Sequence, residues 1–184
     1  MSYCTPDITK EIIIQLPSVS LPKPGTVLQI RSGKVSMLGS EPSGIFKIER
    51  PDPAFFGKTG IAGNEHVYCT HGGIDRAIMQ YDSSHYADWR TENCRQPQLF
   101  QFGGFGENIL STNLTEENIC IGDIYQLGGR VLVQVSKPRN PCYKLNLRLN
   151  GRAFLKEPRE LVAWDGSCEL FEPVMSDEVT LLSS

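Results

Sequence analysis

The sequence predicts a mainly β domain with a few helices, an α+β fold closed or sandwiched on itself. Three observations predict it. Short β-rich runs recur between glycine turns, as in Ile121–Leu127 and Arg130–Val135 around Gly128-Gly129, a strong hairpin signal. Only one long stretch, Asp75 to Arg90, carries apolar residues at helical spacing. The chain has 184 residues, enough for one well-packed domain and short for two.

In chain order, residues 1–25 contain Pro6, Pro17, Pro22 and Pro24 and are expected to form an irregular arm. A single domain is expected over 26–184. Val27–Arg31 and Lys34–Leu38 flank Ser32-Gly33 and read as two strands joined by a tight turn. Ile45–Ile48 is a further short strand, and Pro51–Gly63, rich in Pro and Gly, is a loop. Glu65–His71 alternates like a strand, with Val67, Cys69 and His71 on one face, and ends at Gly72-Gly73. In Asp75–Arg90, residues Ile74, Ile78, Tyr81, His85, Tyr86 and Trp89 share a helical face, and Asp82-Ser83-Ser84 divides the helix with Asp82 as a cap. Phe105-Gly106-Glu107-Asn108 is a glycine turn into Ile109-Leu110, and Asn113–Asn118 one helical turn. Val131, Val133 and Val135 point to the core. Leu161–Trp164 and Val179–Leu182 are expected terminal strands.

Composition narrows the function classes. Hydrophobic residues make up 40% and charged residues 21%, ordinary for a soluble globular protein. A net charge of −3 gives no reason to expect nucleic-acid binding, so any anion site must be a local basic pocket. No apolar run approaches a membrane span, and Met1–Leu16 lacks the basic start and long apolar core of a secretory signal. The cytoplasm is the default location. The six cysteines, Cys4, Cys69, Cys94, Cys120, Cys142 and Cys168, are scattered without a CxxC pair and read as free thiols.

Cys142 is the focus of the chemistry. Ser136-Lys137-Pro138-Arg139-Asn140-Pro141-Cys142-Tyr143-Lys144-Leu145 places a thiol among stiff prolines and three cations, Lys137, Arg139 and Lys144. Positive charge favours thiolate, which is both nucleophile and soft metal ligand, and the same cations attract a phosphate. A buried structural cysteine beside surface charges is an equal reading of the local pattern. Three further clusters bear on function. His71-Gly72-Gly73-Ile74-Asp75-Arg76-Ala77 lets backbone approach a ligand, against a plain turn and helix cap. Glu107 and Asn108 project from their glycine turn, against a solvated loop, and Ser43-Gly44-Ile45-Phe46-Lys47 offers a lysine for an anion, against a surface charge.

Together these segments resemble the MOSC family, named for the C-terminal domain of molybdenum cofactor sulfurase, and most closely its stand-alone, YiiM-like branch. The resemblance covers about Gln29 to Leu149 and is strongest over 43–149. It adds Thr59-Gly60-Ile61-Ala62-Gly63-Asn64-Glu65 and Ile121-Gly122-Asp123 to the clusters above, in the family's order and spacing. The chain departs from the pattern at Asn64, where the family usually has Asp. At the C-terminus only Trp164, Glu172-Pro173 and Asp177-Glu178 echo the family's ending.

The resemblance implies a MOSC-type β-barrel and a pterin-based molybdenum cofactor (molybdopterin) with Cys142 as the metal's protein ligand and catalytic residue. Thiolate suits molybdenum already held by dithiolene sulfurs. Lys47, Arg76, Arg139 and Lys144 are implied to hold the pterin phosphate or tune the metal, and His71 and Asn108 to line the pocket. At family level there is also an association with pyridoxal phosphate. The implied activity is reduction of N-hydroxylated bases or related compounds, with electrons from a separate reductase, since no flavin, haem or iron–sulfur motif is visible. The alternative is a non-catalytic carrier of the cofactor or of sulfur, with a persulfide on Cys142. A zinc site from His66, Cys69 and His71 matches no common pattern. A cysteine hydrolase pairing Cys142 with His71 lacks a marked oxyanion hole.

Overall fold

A computed structural model describes residues 24–51, 53–68, 71–92, 96–128, 131–139, 142–149 and, for backbone alone, 161–165. Residues 1–23 of the expected arm 1–25, Cys69, and the expected strand Val179–Leu182 lie outside these residues. Seven strands form one mixed sheet: β1 (Thr26–Ser32), β4 (Ile48–Glu49), β7 (Ile78–Asp82), β8 (Ile109–Thr112), β9 (Ile124–Leu127), β10 (Val131–Arg139) and β11 (Leu161–Asp165). Their spatial order is β4-β1-β8-β7-β11-β10-β9. Two small hairpins accompany it, β2 (Ser36–Leu38) with β3 (Glu41–Ser43), and β5 (Phe56–Gly57) with β6 (Gly60–Ile61). The helices are α1 (Ser84–Glu92) and α2 (Tyr143–Leu149).

The mainly β, α+β reading holds. Barrel closure is not shown, because among the described residues the end strands β4 and β9 do not pair with each other. The hairpin of β9 and β10 has the expected antiparallel register, Val133 opposite Tyr125, with Val131, Val133 and Val135 buried.

The largest correction concerns the expected helix over Asp75–Arg90. Ile74–Arg76 is a 3-10 turn, Ile78–Asp82 is a strand, and only Ser84–Glu92 is an α-helix. β7 lies parallel to β8 and antiparallel to β11, and every residue of it is buried. Ile78 joins one core cluster while Met79 and Tyr81 join the other, so the strand has core on both faces. Met79 and Tyr81 alternate with Gln80 and Asp82, but the polar pair is as buried as the apolar one, so the alternation marks no solvent face. Its apolar residues therefore matched a helical face by accident. The buried Gln80 amide is satisfied by the Ser111 hydroxyl at 2.7 Å and the Leu114 carbonyl at 2.9 Å. The cap was read correctly: the Asp82 carboxylate accepts from the Ser84 amide at 2.9 Å as α1 begins.

Three shorter expectations also change. β1 and β2 do not form a hairpin with each other, since β1 pairs with β4 and β8 while β2 pairs with β3. Gly33 serves a close approach instead, because a Cβ there would lie 2.0 Å from the Phe46 carbonyl oxygen. Of Ile45–Ile48 only Ile48 is in a strand. Glu65–Tyr68 is not a strand, and the Glu65 carboxylate is turned towards the Val35 amide and the Lys34 ammonium. The expected loop Pro51–Gly63 does contain the β5–β6 pair.

Candidate functional site

β10 ends at Arg139, and α2 starts one residue after Cys142. The Cys142 carbonyl accepts the Leu145 amide at 2.9 Å, so Cys142 stands at the entrance of the helix. Leu145 and Leu149 anchor α2 in the core cluster built by Tyr81, Tyr86, Trp89 and Phe105. That anchoring fixes where the half-buried thiol sits. The helix was not legible in the sequence, where the prolines before Cys142 dominate.

The thiol opens into a cavity of about 230 Å³. All seven residues expected at the cofactor site line it, Lys47, His71, Arg76, Asn108, Arg139, Cys142 and Lys144, whereas Glu107 does not. The seven come from four separated stretches of chain: Lys47, then His71 and Arg76, then Asn108 just before β8, then Arg139, Cys142 and Lys144 at the end of β10 and the start of α2. Lys137 and His66 add nitrogen donors, and among the described residues no Asp or Glu is part of the lining. Ser43, Met79 and Gly106 complete the wall. His66 had been weighed only as a zinc ligand, and Met79 was hidden by its assignment to a helix. Among the described residues no group of three His, Cys, Asp or Glu side chains could hold a metal.

Asn108 organises the floor. Its Oδ1 accepts from Lys47 Nζ at 2.8 Å and from the Met79 amide at 3.2 Å, and its Nδ2 donates to the Arg31 carbonyl at 3.1 Å. Far from a solvated loop, Glu107 and Asn108 are 0% and 1% exposed. Glu107 Oε1 accepts from the Tyr86 hydroxyl at 2.6 Å and the Gly103 amide at 2.5 Å, while Oε2 is buried and has no hydrogen-bond partner among the described residues. Burial, then the Glu107 carboxylate, hold the Tyr86 phenol well above its usual range.

The cations feel burial and one another. The Lys47 ammonium is pushed down to about 7, first by burial and then by the Arg139 guanidinium, with Glu107 pulling the other way and Arg148 adding to the depression. Burial is also the main pressure on Arg139, with Cys142 as its first favourable charge partner. Arg139 donates to the Met79 sulfur. Lys144 Nζ donates to the Pro42 carbonyl at 2.7 Å and lies 5.1 Å from the centre of the Tyr68 ring. His66 and His71 are both held below the usual histidine range, by burial first, then by Lys47 on His66 and by Arg139 on His71. Both imidazoles are therefore neutral near pH 7. Arg76 is exposed at the rim.

A Cβ at Gly72 would sit 2.7 Å from the His66 ring, and one at Gly44 would sit 2.6 Å from the Glu65 carbonyl oxygen. These glycines let two segments of the wall come together. The result is a thiol and several cations around a recess with no Asp or Glu among its described lining residues.

Comparison with known proteins shows the family. Residues 68–165 match the family profile of the MOSC domain. A Gibberella moniliformis protein named "Reductase" is 46% identical over 155 residues, 83% of this chain and 28% of that protein. Protein YiiM of Escherichia coli is 40% identical over 121 residues, 65% of this chain and 54% of YiiM. The chain thus spans about half or less of the length of these relatives. Crystal structures of YiiM from Geobacillus stearothermophilus and Escherichia coli superpose with TM-scores of 0.67 and 0.69 at 30% and 28% identity. They cover 86% and 89% of this chain and 75% and 71% of theirs. A basic, thiol-bearing cavity on this sheet, a profile match over more than half of the chain and YiiM-like relatives together place the chain in the MOSC domain family.

Proposed function

We propose that the cavity seats a pterin-based molybdenum cofactor and that the chain is an oxidoreductase for N-hydroxylated bases or related compounds. One observation carries the reading: a thiol and Lys47, Arg76, Arg139 and Lys144 converge on one cavity with no carboxylate in its described lining. That donor set fits the group, with Cys142 as the metal's protein ligand and the cations facing its phosphate. When bound, the cofactor supplies two-electron chemistry at a metal that can accept an oxygen. The chain's own residues bind and orient. Lys144 and Arg139 are tied to Pro42 and Met79, which limits the entropy lost on gripping an anion. His66 and His71, neutral near pH 7, are able to hydrogen-bond a substrate without adding charge.

Electrons are proposed to come from a separate reductase. The Gibberella relative named "Reductase" supports the redox class, and most of that protein lies beyond the matched region. The test is turnover of N-hydroxylated purines by molybdenum-loaded protein with an artificial electron donor. Reduced base and water are the expected products. Loaded protein that turns over nothing but carries a persulfide on Cys142, seen by mass spectrometry, would instead favour the carrier role.

A further inference from the structure

We propose that Lys47 is the proton donor of this cavity, protonating the oxygen that leaves when an N-hydroxylated substrate is reduced. The inference rests on the oxidoreductase reading and changes the part of Lys47 within it, from phosphate anchor to acid. Lys47 is 6% exposed and lines the cavity together with Cys142. An ammonium has three donor protons. Among the described residues Nζ makes one hydrogen bond, to Asn108 Oδ1 at 2.8 Å. Asn108 is itself fixed by the Met79 amide and the Arg31 carbonyl, so Lys47 is held by a rigid acceptor with protons to spare.

Its surroundings distinguish it from the other cations. Arg139 faces it from β10, Arg148 from α2, Glu107 from the turn before β8, and the His66 imidazole from the 64–68 segment. Burial and the two guanidiniums outweigh Glu107 and bring its pKa to about 7. An acid works best with a pKa near the working pH, where it is both protonated and ready to part with the proton. Arginine cannot do this, because it does not deprotonate in proteins. Buried lysines shift readily and so serve in acid–base roles.

The step balances. The substrate N–OH takes two electrons, supplied by the partner reductase, and two protons. The N–O bond breaks, Lys47 gives one proton to the departing oxygen, solvent gives the other, and the products are the N–H compound and water. The neutral amine of Lys47 then recovers its proton from solvent.

Two readouts test this. In the first, the wild-type chain is labelled with acetic anhydride across pH 5–11, and Lys47 acetylation is read by peptide mass spectrometry. Half-maximal reactivity near pH 7 is expected, and half-maximal reactivity near the ordinary lysine value of about 10.4 would overturn the proposal. In the second, molybdenum-loaded wild type is compared with Lys47→Arg and Lys47→Met. Both variants should keep molybdenum and pterin and lose kcat by about 100-fold or more. The wild-type fall in kcat above pH 7 should disappear in Lys47→Arg. A wild-type kcat and pH profile in Lys47→Arg would overturn the proposal, and so would loss of molybdenum from both variants, which returns Lys47 to an anchor. If the variants do not fold, the labelling of wild type decides. A wild-type protein that never holds molybdenum defeats the underlying reading instead, which separates the two failures.

Discussion

Asn108 is the residue on which the cavity floor depends. One side-chain amide joins Lys47, the Met79 amide and the Arg31 carbonyl. Asn108→Ala strands those buried groups, each at about 1–3 kcal/mol. We expect at least about 2 kcal/mol less stability in urea unfolding, against little change for a surface substitution such as Lys58→Ala. Lys47 supplies a pH signature. In the unfolded chain it keeps its proton to about 10.5, in the folded chain only to about 7. Between those values the unfolded state binds more protons, so stability rises with pH across that window. Below it both states are protonated and the burial cost is present in full. Lys47→Met should therefore be more stable than wild type at pH 7, with the gap narrowing towards pH 10 in urea melts. Glu107 opposes the depression of Lys47, so Glu107→Gln should move the Lys47 titration below its wild-type midpoint when followed by the same acetylation readout.

At the scale of elements, the site depends on how closely loops approach the sheet. Gly44 and Gly106 take positions where a side chain would press on Glu65 and Ile45, and Gly106 has φ +76°. Gly106→Ala meets both a crowded wall and left-handed backbone. We expect it to cost about 1–3 kcal/mol and to weaken anion binding in the cavity, measured as loss of the melting-temperature rise given by inorganic phosphate. Much of this site was legible in the sequence because its residues stand beside glycine and proline, which mark turns and close approaches whatever the fold. Glycine and proline mark the clusters that hold Cys142, Arg139, His71 and Asn108, and the resemblance to the MOSC family supplies the roles expected of them. What was not legible depended on burial. β7 reads as helix because Ile78 and Tyr81 fall in helical step with His85 and Trp89 of the adjoining α1, and its polar Gln80 and Asp82 are buried instead of marking a solvent face. The Ser32-Gly33 turn reads as a hairpin because the Phe46 carbonyl that requires Gly33 comes from a distant segment. α2 is hidden because its stability comes from Leu145 and Leu149 entering a core assembled by α1 and the Phe100–Phe105 region.

At the scale of the whole molecule, a chain of net charge −3 carries a cavity of opposite character. The contrast arises because β10 and α2 bring Lys137, Arg139 and Lys144 to one end of the sheet, opposite Lys47 and Arg76. Among the described residues no helix is long and apolar enough to cross a membrane. The local field predicts that binding of inorganic phosphate weakens as ionic strength rises from 0.01 to 1 M, since the Debye length contracts from about 30 Å to about 3 Å. Isothermal titration across that range should show affinity falling steadily. The central claim is that Cys142 holds the metal of a pterin cofactor in this cavity. It is tested most directly by molybdenum and pterin analysis of the protein made in a cofactor-competent host, beside Cys142→Ala. Molybdenum and pterin in the wild type with molybdenum lost from Cys142→Ala is the predicted result. Equal molybdenum in both, or none in the wild type, would contradict it.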